Sequence, residues 1–223
     1  PASRLVALLV EKKAATFTVG GASFVGIVMA PWIAHLANSL GQTHGVHVPV
    51  IASLAVFAIA YSFGEGLGRL GCVTFGCCYG KPLERCHPLV QKIFRHRHFV
   101  FIGHTKKINY AGKLEGCKVV PIQAVTSIVY VVTGLLGTWL FLNAYYSPAL
   151  ILTLGVTQLW RAFSETLRAD YRGSGRISAY QIMALSSVAY TLIAVWWFPP
   201  EVTRMPDLAA GLTSIWQPGA IVL

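Results

Sequence analysis

The side chains most able to do chemistry fall in one stretch, residues 64–81, which reads GEGLGRLGCVTFGCCYGK. Glu65 and Arg69 stand at the end of an apolar run, and Cys72, Cys77 and Cys78 follow. A charge beside a long uncharged segment is costly in lipid, and chains that keep one use it on a substrate, an ion or a partner charge. A guanidinium stays protonated and donates paired hydrogen bonds, which suits a phosphate. Arg161, Glu165 and Arg168 close a second apolar run. Their spacings of four and three put all three on one helical face, so Arg161 and Glu165 are predicted to pair. Arg168 reads as a boundary charge snorkelling toward headgroups. Arg69 and Arg161 come from separate helices that end on the same side, so both can reach one anion.

The cysteines raise the question of metal, because Cys86, Cys117 and four histidines lie nearby. None of the spacings is a recognised zinc pattern, and no metal is expected. Buried thiols packing as small hydrophobes, a disulfide, or a nucleophilic thiolate favoured by the arginines are the readings left open. Gly66, Gly68 and Gly71 match a dinucleotide fingerprint, but the strand and βαβ unit that it requires are missing.

The elements that must hold these groups are membrane helices. Over half of the 223 residues are hydrophobic and 12% are charged. No Asp, Glu, Lys or Arg occurs over residues 14–64, 119–160 or 177–200. A bilayer core takes about 20 apolar residues per helix, which predicts an all-α polytopic bundle of about five spans. The spans are expected near 17–37, 48–63, 119–142, 150–167 and 179–198. The glycines after residue 63 would let the second helix break or kink. One integral membrane domain over 1–223 is expected, and the apolar start at Pro1 suggests further chain upstream. The net charge of +10 does not imply nucleic acid, since nine of eighteen basic residues sit in an extra-membrane loop at 81–118. Such a loop reads as a surface for anionic lipid or as a topology signal, and charge counting alone puts it in the cytoplasm.

The runs GRLGCVTFGCCYGKP, VVPIQ at 119–123, RAFSETLRADYRG at 161–173 and SAYQ at 178–181 resemble, in the same order, the prolipoprotein diacylglyceryl transferase family. VGGASFVG at 19–26 is similar to that family's upstream glycine-rich segment. The resemblance implies transfer of a diacylglyceryl group from phosphatidylglycerol to the cysteine thiol of a lipobox-containing precursor, in the bacterial inner membrane, with no cofactor. It implies catalytic roles for Arg69, Arg161 and Glu165, and substrate contacts at Gly68, Cys72, Gly76, Cys77, Gly80 and Gln123. It also implies that the basic loop lies on the outer side of the membrane.

The match departs from the family at Val19, where a histidine is usual, at Cys72 and Phe75, where asparagines are usual, and at Cys77, where a glutamate is usual. A proton acceptor is therefore not named. In the expected mechanism, Arg69 and Arg161 bind the headgroup phosphate, Glu165 orients Arg161, and an acceptor thiolate attacks the glyceryl carbon. The alternatives are a phospholipid-binding membrane protein without chemistry, and a thiol-redox or metal protein, which predicts that the cysteines converge in space.

Overall fold

The computed structural model describes residues 19–41, 47–169, 177–198 and 205–216. The expectations for Pro1, for the middle of the first turn, for the link at 170–176 and for the tail at 199–204 and beyond 216 lie outside the described residues. Eight α-helices are described: α1 (Val19–Gly41), α2 (Val50–Phe75), α3 (Pro88–Phe94), α4 (Lys107–Tyr110), α5 (Ile122–Leu142), α6 (Tyr146–Ser164), α7 (Ala179–Trp197) and α8 (Leu208–Ile215). Helices α1, α2, α5 and α7 are long and apolar enough to cross a membrane, so the chain is an all-α, multi-pass bundle. Helix α6 is as long as α7 but more polar. A three-residue turn joins it to α5.

Helix α6 sits at the centre, packed on α2, α5 and α7. Its hydroxyls do not need water: Thr153 donates to the Ala149 carbonyl at 2.6 Å and Thr157 to the Thr153 carbonyl at 2.7 Å. Neighbouring helices are tied to it, and to one another, by polar bonds in an otherwise apolar interior. Ser62 donates to the Tyr130 carbonyl at 2.7 Å, and the Tyr130 hydroxyl donates to the Thr157 carbonyl at 2.9 Å. Between helices in lipid, such bonds and close packing replace the hydrophobic effect as the cohesive force. Helix α7 starts with a capping box between Ser178 and Gln181, and the Gln181 amide also donates to the Ala162 carbonyl of α6 at 3.0 Å. Helix α1 packs on α7 and touches α2 lightly.

The predicted break in the second helix does not occur. Helix α2 continues through all the glycines to Phe75, because Gly66 lies against Tyr130 Cβ on α5 and the helical ladder stays intact around it. It ends at Gly76, whose left-handed φ of 61° lets the Gly76 and Cys77 amides bond back to the Val73 and Cys72 carbonyls. The basic loop is no loose connection either. Tyr79, Phe101, Ile108 and Val119 form a small core of their own, and the backbone at 79–82 pairs on two sides. The Lys81 amide donates to Leu167 O at 2.8 Å and the Val120 amide to Lys81 O at 3.0 Å. This head covers the ends of α2, α5 and α6.

Gly80 lies in the middle of that pairing, where a Cβ would strike the Val120 carbonyl. Gly68 faces open space, with nothing within 4 Å of an added Cβ. Gly80→Ala should therefore lower stability by about 1–3 kcal/mol, as overpacking does, and Gly68→Ala should not. Thermal unfolding of both variants in detergent checks this, and equal melting temperatures would count against the pairing described.

Candidate functional site

The sequence-predicted groups gather at the head end of the bundle, in two adjoining clusters rather than one. The first surrounds Arg161, three residues before the end of α6. Its Nη1 donates to Ser23 Oγ of α1 at 3.4 Å and to Tyr61 Oη of α2 at 3.3 Å. Both bonds are long, hence weak and easily exchanged. Its other terminal nitrogen lies against Gly20, where a Cβ would collide with it and with the Tyr180 ring. Arg161 pairs with no carboxylate among the described residues. Ser23 and Tyr61 also line an apolar cavity of about 720 Å³ between α1, α2, α6 and α7, which continues past Ile27, Phe57 and Leu154 to Ala37.

The second cluster surrounds Arg69. Its Nη2 is ion-paired with Glu65 one turn earlier on α2, and its Nε is a buried donor with no partner among the described residues. Glu165 does not pair with Arg161. The α-helix stops at Ser164 and a 3₁₀ turn carries Glu165–Leu167, which redirects the carboxylate toward Arg168 Nη1 at 3.8 Å. The four-residue spacing required a helix that has already ended. Arg168 does not snorkel: its side chain is 8% exposed, and its backbone is bridged to Gly80. Arg168 thus joins Arg69, and both charges bear on Cys78. Arg161 and Arg69 remain neighbours through Tyr130, on whose side chain both act electrostatically.

Cys72, on the last turn of α2, and Cys77 and Cys78, just beyond it, have their Sγ atoms within 4.8 Å of one another. Cys78 has a left-handed φ of 53°, which aims its side chain back at the other two. All five cysteines are free thiols. Hydrogen bonds from the Cys72 and Cys77 thiols, with the positive charges of Arg168 and Arg69, hold the Cys78 thiol far below the usual thiol range despite its burial. Burial pushes the Cys86 thiol up.

The remaining expected substrate contacts sort by geometry. Gly76 and Gly80 are required by backbone conformation and close approach. Gln123, 1% exposed, donates to the Cys77 carbonyl at 3.0 Å and so fixes the cysteine turn, while its Oε1 is a buried acceptor without a partner among the described residues. Gly68 lies on the open face of α2. Sequence reasoning missed Ser23, Tyr61 and Tyr130. Tyr61 was discoverable, since Tyr61, Glu65 and Arg69 repeat every four residues and form one polar stripe on an apolar helix.

The lowered Cys78 thiol has a direct test. Limited treatment of chelator-washed protein with iodoacetamide at about pH 6.5, below the reference thiol pKa of about 8.5, should label Cys78 well before Cys86. Peptide mass spectrometry reads the order, and Cys86 labelled first would contradict the arrangement of charges.

The family model described as prolipoprotein diacylglyceryl transferase matches residues 7–197 of the chain. No curated protein and no solved structure matches it.

Proposed function

The chain belongs to the prolipoprotein diacylglyceryl transferase family, and from that membership and the geometry of the head end we propose that it moves a diacylglyceryl group from phosphatidylglycerol to a precursor cysteine thiol. Membership itself implies a transferase of lipoprotein biosynthesis acting on a prolipoprotein. The lipid donor, the lipobox cysteine as acceptor and the bacterial inner membrane as location are our reading.

The observation that carries the reading is the cavity lined at one end by Ser23 and Tyr61, the two hydroxyls to which Arg161 donates. From Ser23 to Ala37 along α1 it runs fourteen residues, or about 21 Å at the helical rise. That is more than one leaflet of a hydrocarbon core about 30 Å thick, so it fits extended acyl chains. Its volume falls within the roughly 300–1,000 Å³ of ligand pockets. With the chains in the cavity, the headgroup lies beside the one site arginine that no carboxylate neutralises among the described residues. Ser23 and Tyr61, whose bonds to Arg161 are long, give way to phosphate oxygens at little cost.

In this mechanism Arg161 holds the phosphate, and its charge stabilises the negative charge that builds as the bond between glyceryl carbon and phosphate oxygen breaks. The acceptor sulfur attacks that carbon, and glycerol phosphate leaves. Arg69, tied to Glu65, adds positive potential from the adjoining cluster. Glu165 keeps Arg168, rather than Arg161, in place. The chain's departure from the family pattern at Val19, where a histidine is usual, leaves the thiol's proton to be taken by another group.

Purified protein in phosphatidylglycerol nanodiscs, given a lipobox peptide, should transfer a diacylglyceryl group to the peptide cysteine. Arg161→Ala should reduce the rate by about 100-fold or more, the scale of losing a preorganised charge-stabilising donor, and Arg69→Ala should also reduce it. Lipid retained by wild type with no peptide modified would instead support lipid binding without transfer.

A further inference from the structure

Three thiols that meet in space without forming a disulfide are not explained by the transfer reaction. Their Sγ atoms lie within 4.8 Å of one another. Thiolates around a tetrahedral zinc stand about 3.8 Å apart, given bonds of about 2.3 Å, so a small rotation of side chains brings the three onto one ion. The turn that carries them is held from several sides. The Gln123 amide grips the Cys77 carbonyl, Ile108 donates to the Gly76 carbonyl at 2.9 Å, and Lys106 Nζ bonds the Thr74 carbonyl. Cys72 is fixed by the end of α2, and Cys78 is turned inward by its left-handed backbone. Three thiolates on a divalent ion leave one net negative charge, and Arg69 and Arg168 both act on this spot.

We propose that Cys72, Cys77 and Cys78 form a three-thiolate site for a thiophilic d¹⁰ cation, zinc being the ion meant, with the fourth position open to an incoming thiol. Soft sulfur donors select such ions, and three protein ligands with a free position are the arrangement of catalytic rather than structural zinc. The sequence spacing hides the site, because two ligands are adjacent and the third is a helical residue five positions earlier. Coordination releases the thiol protons to solvent. The role of the open position rests on the transfer proposed above; the metal site does not. In that transfer the acceptor cysteine gives its proton to solvent on binding the ion, which takes over the task of a base. Its sulfur then forms the bond to the glyceryl carbon while the carbon–oxygen bond breaks, and the electron pair leaves on the phosphate.

The test uses untagged full chain in detergent, reduced, stripped with chelator, and titrated with Co²⁺ and Zn²⁺. About one Co²⁺ per chain, displaced by Zn²⁺ and showing intense sulfur-to-cobalt charge-transfer absorption, is expected. Each single Cys→Ser variant should weaken binding about tenfold or more, and Cys86→Ser should not. No charge-transfer absorption in wild type, or a disulfide joining two of the three in the reduced protein, overturns the site. Adding a lipobox peptide should shift the absorption, and its Cys→Ser analogue should not; the absence of any shift overturns the open position alone. These spectra need no lipid, so a failure of transfer in nanodiscs leaves them to stand or fall separately.

Discussion

A guanidinium inside an apolar bundle, facing hydroxyls rather than any carboxylate among the described residues, is the constraint around which this molecule is arranged. Arg161 stands close to the end of α6, yet its charge is turned inward, toward α1 and α2. Hydroxyls can solvate such a charge but cannot cancel it. Gly20 must lack a side chain for α1 to close over it, and Tyr61 must project from α2 at the same height. What would stabilise this arrangement further is an anion, and the two hydroxyls that now hold the charge also line an apolar cavity.

The neighbouring arginines show the opposite solution. Arg69 is neutralised by Glu65 and Arg168 by Glu165, each within its own helix or turn. Both arginines still place positive charge on the cysteine turn, where they act on Cys78. Two kinds of cation thus share one end of the bundle: Arg161, which meets only hydroxyls among the described residues, and Arg69 and Arg168, which are each paired with a carboxylate. Tyr130, pinned between α2 and α6 by its carbonyl and its hydroxyl, keeps the two clusters at a fixed separation.

Much of this was legible in the sequence. The uncharged runs foretold the long helices, since few physical states other than membrane spans accommodate so many consecutive apolar residues. The alternation of loops foretold that Arg69 and Arg161 end on one side. The order of the motifs foretold the family. What could not be read depended on a single turn of backbone. The Arg161–Glu165 pairing failed because the helix tightens to 3₁₀ geometry at Glu165, and helix ends are weakly encoded locally. Gly80 and Gln123 also serve packing and turn geometry against residues forty or more positions away, which no local pattern shows. The convergence of the thiols, which the thiol-redox or metal alternative requires, was left open for the same reason: it needs a left-handed residue at Cys78, a position no propensity favours for a side chain of that kind.

The polar character of α6 bears on how the chain is made. A segment with a buried glutamine and an arginine gains little by entering lipid alone: its threonines bond carbonyls of their own helix, but its charge meets hydroxyls only once α1 and α2 stand beside it. Joined to α5 by three residues, it enters most cheaply as the second arm of a hairpin, shielded from the acyl chains by an arm that partitions readily. Insertion and packing then make opposite demands on the same helix, and a substitution that replaces Arg161 with an apolar side chain would ease its insertion while removing the bonds to Ser23 and Tyr61.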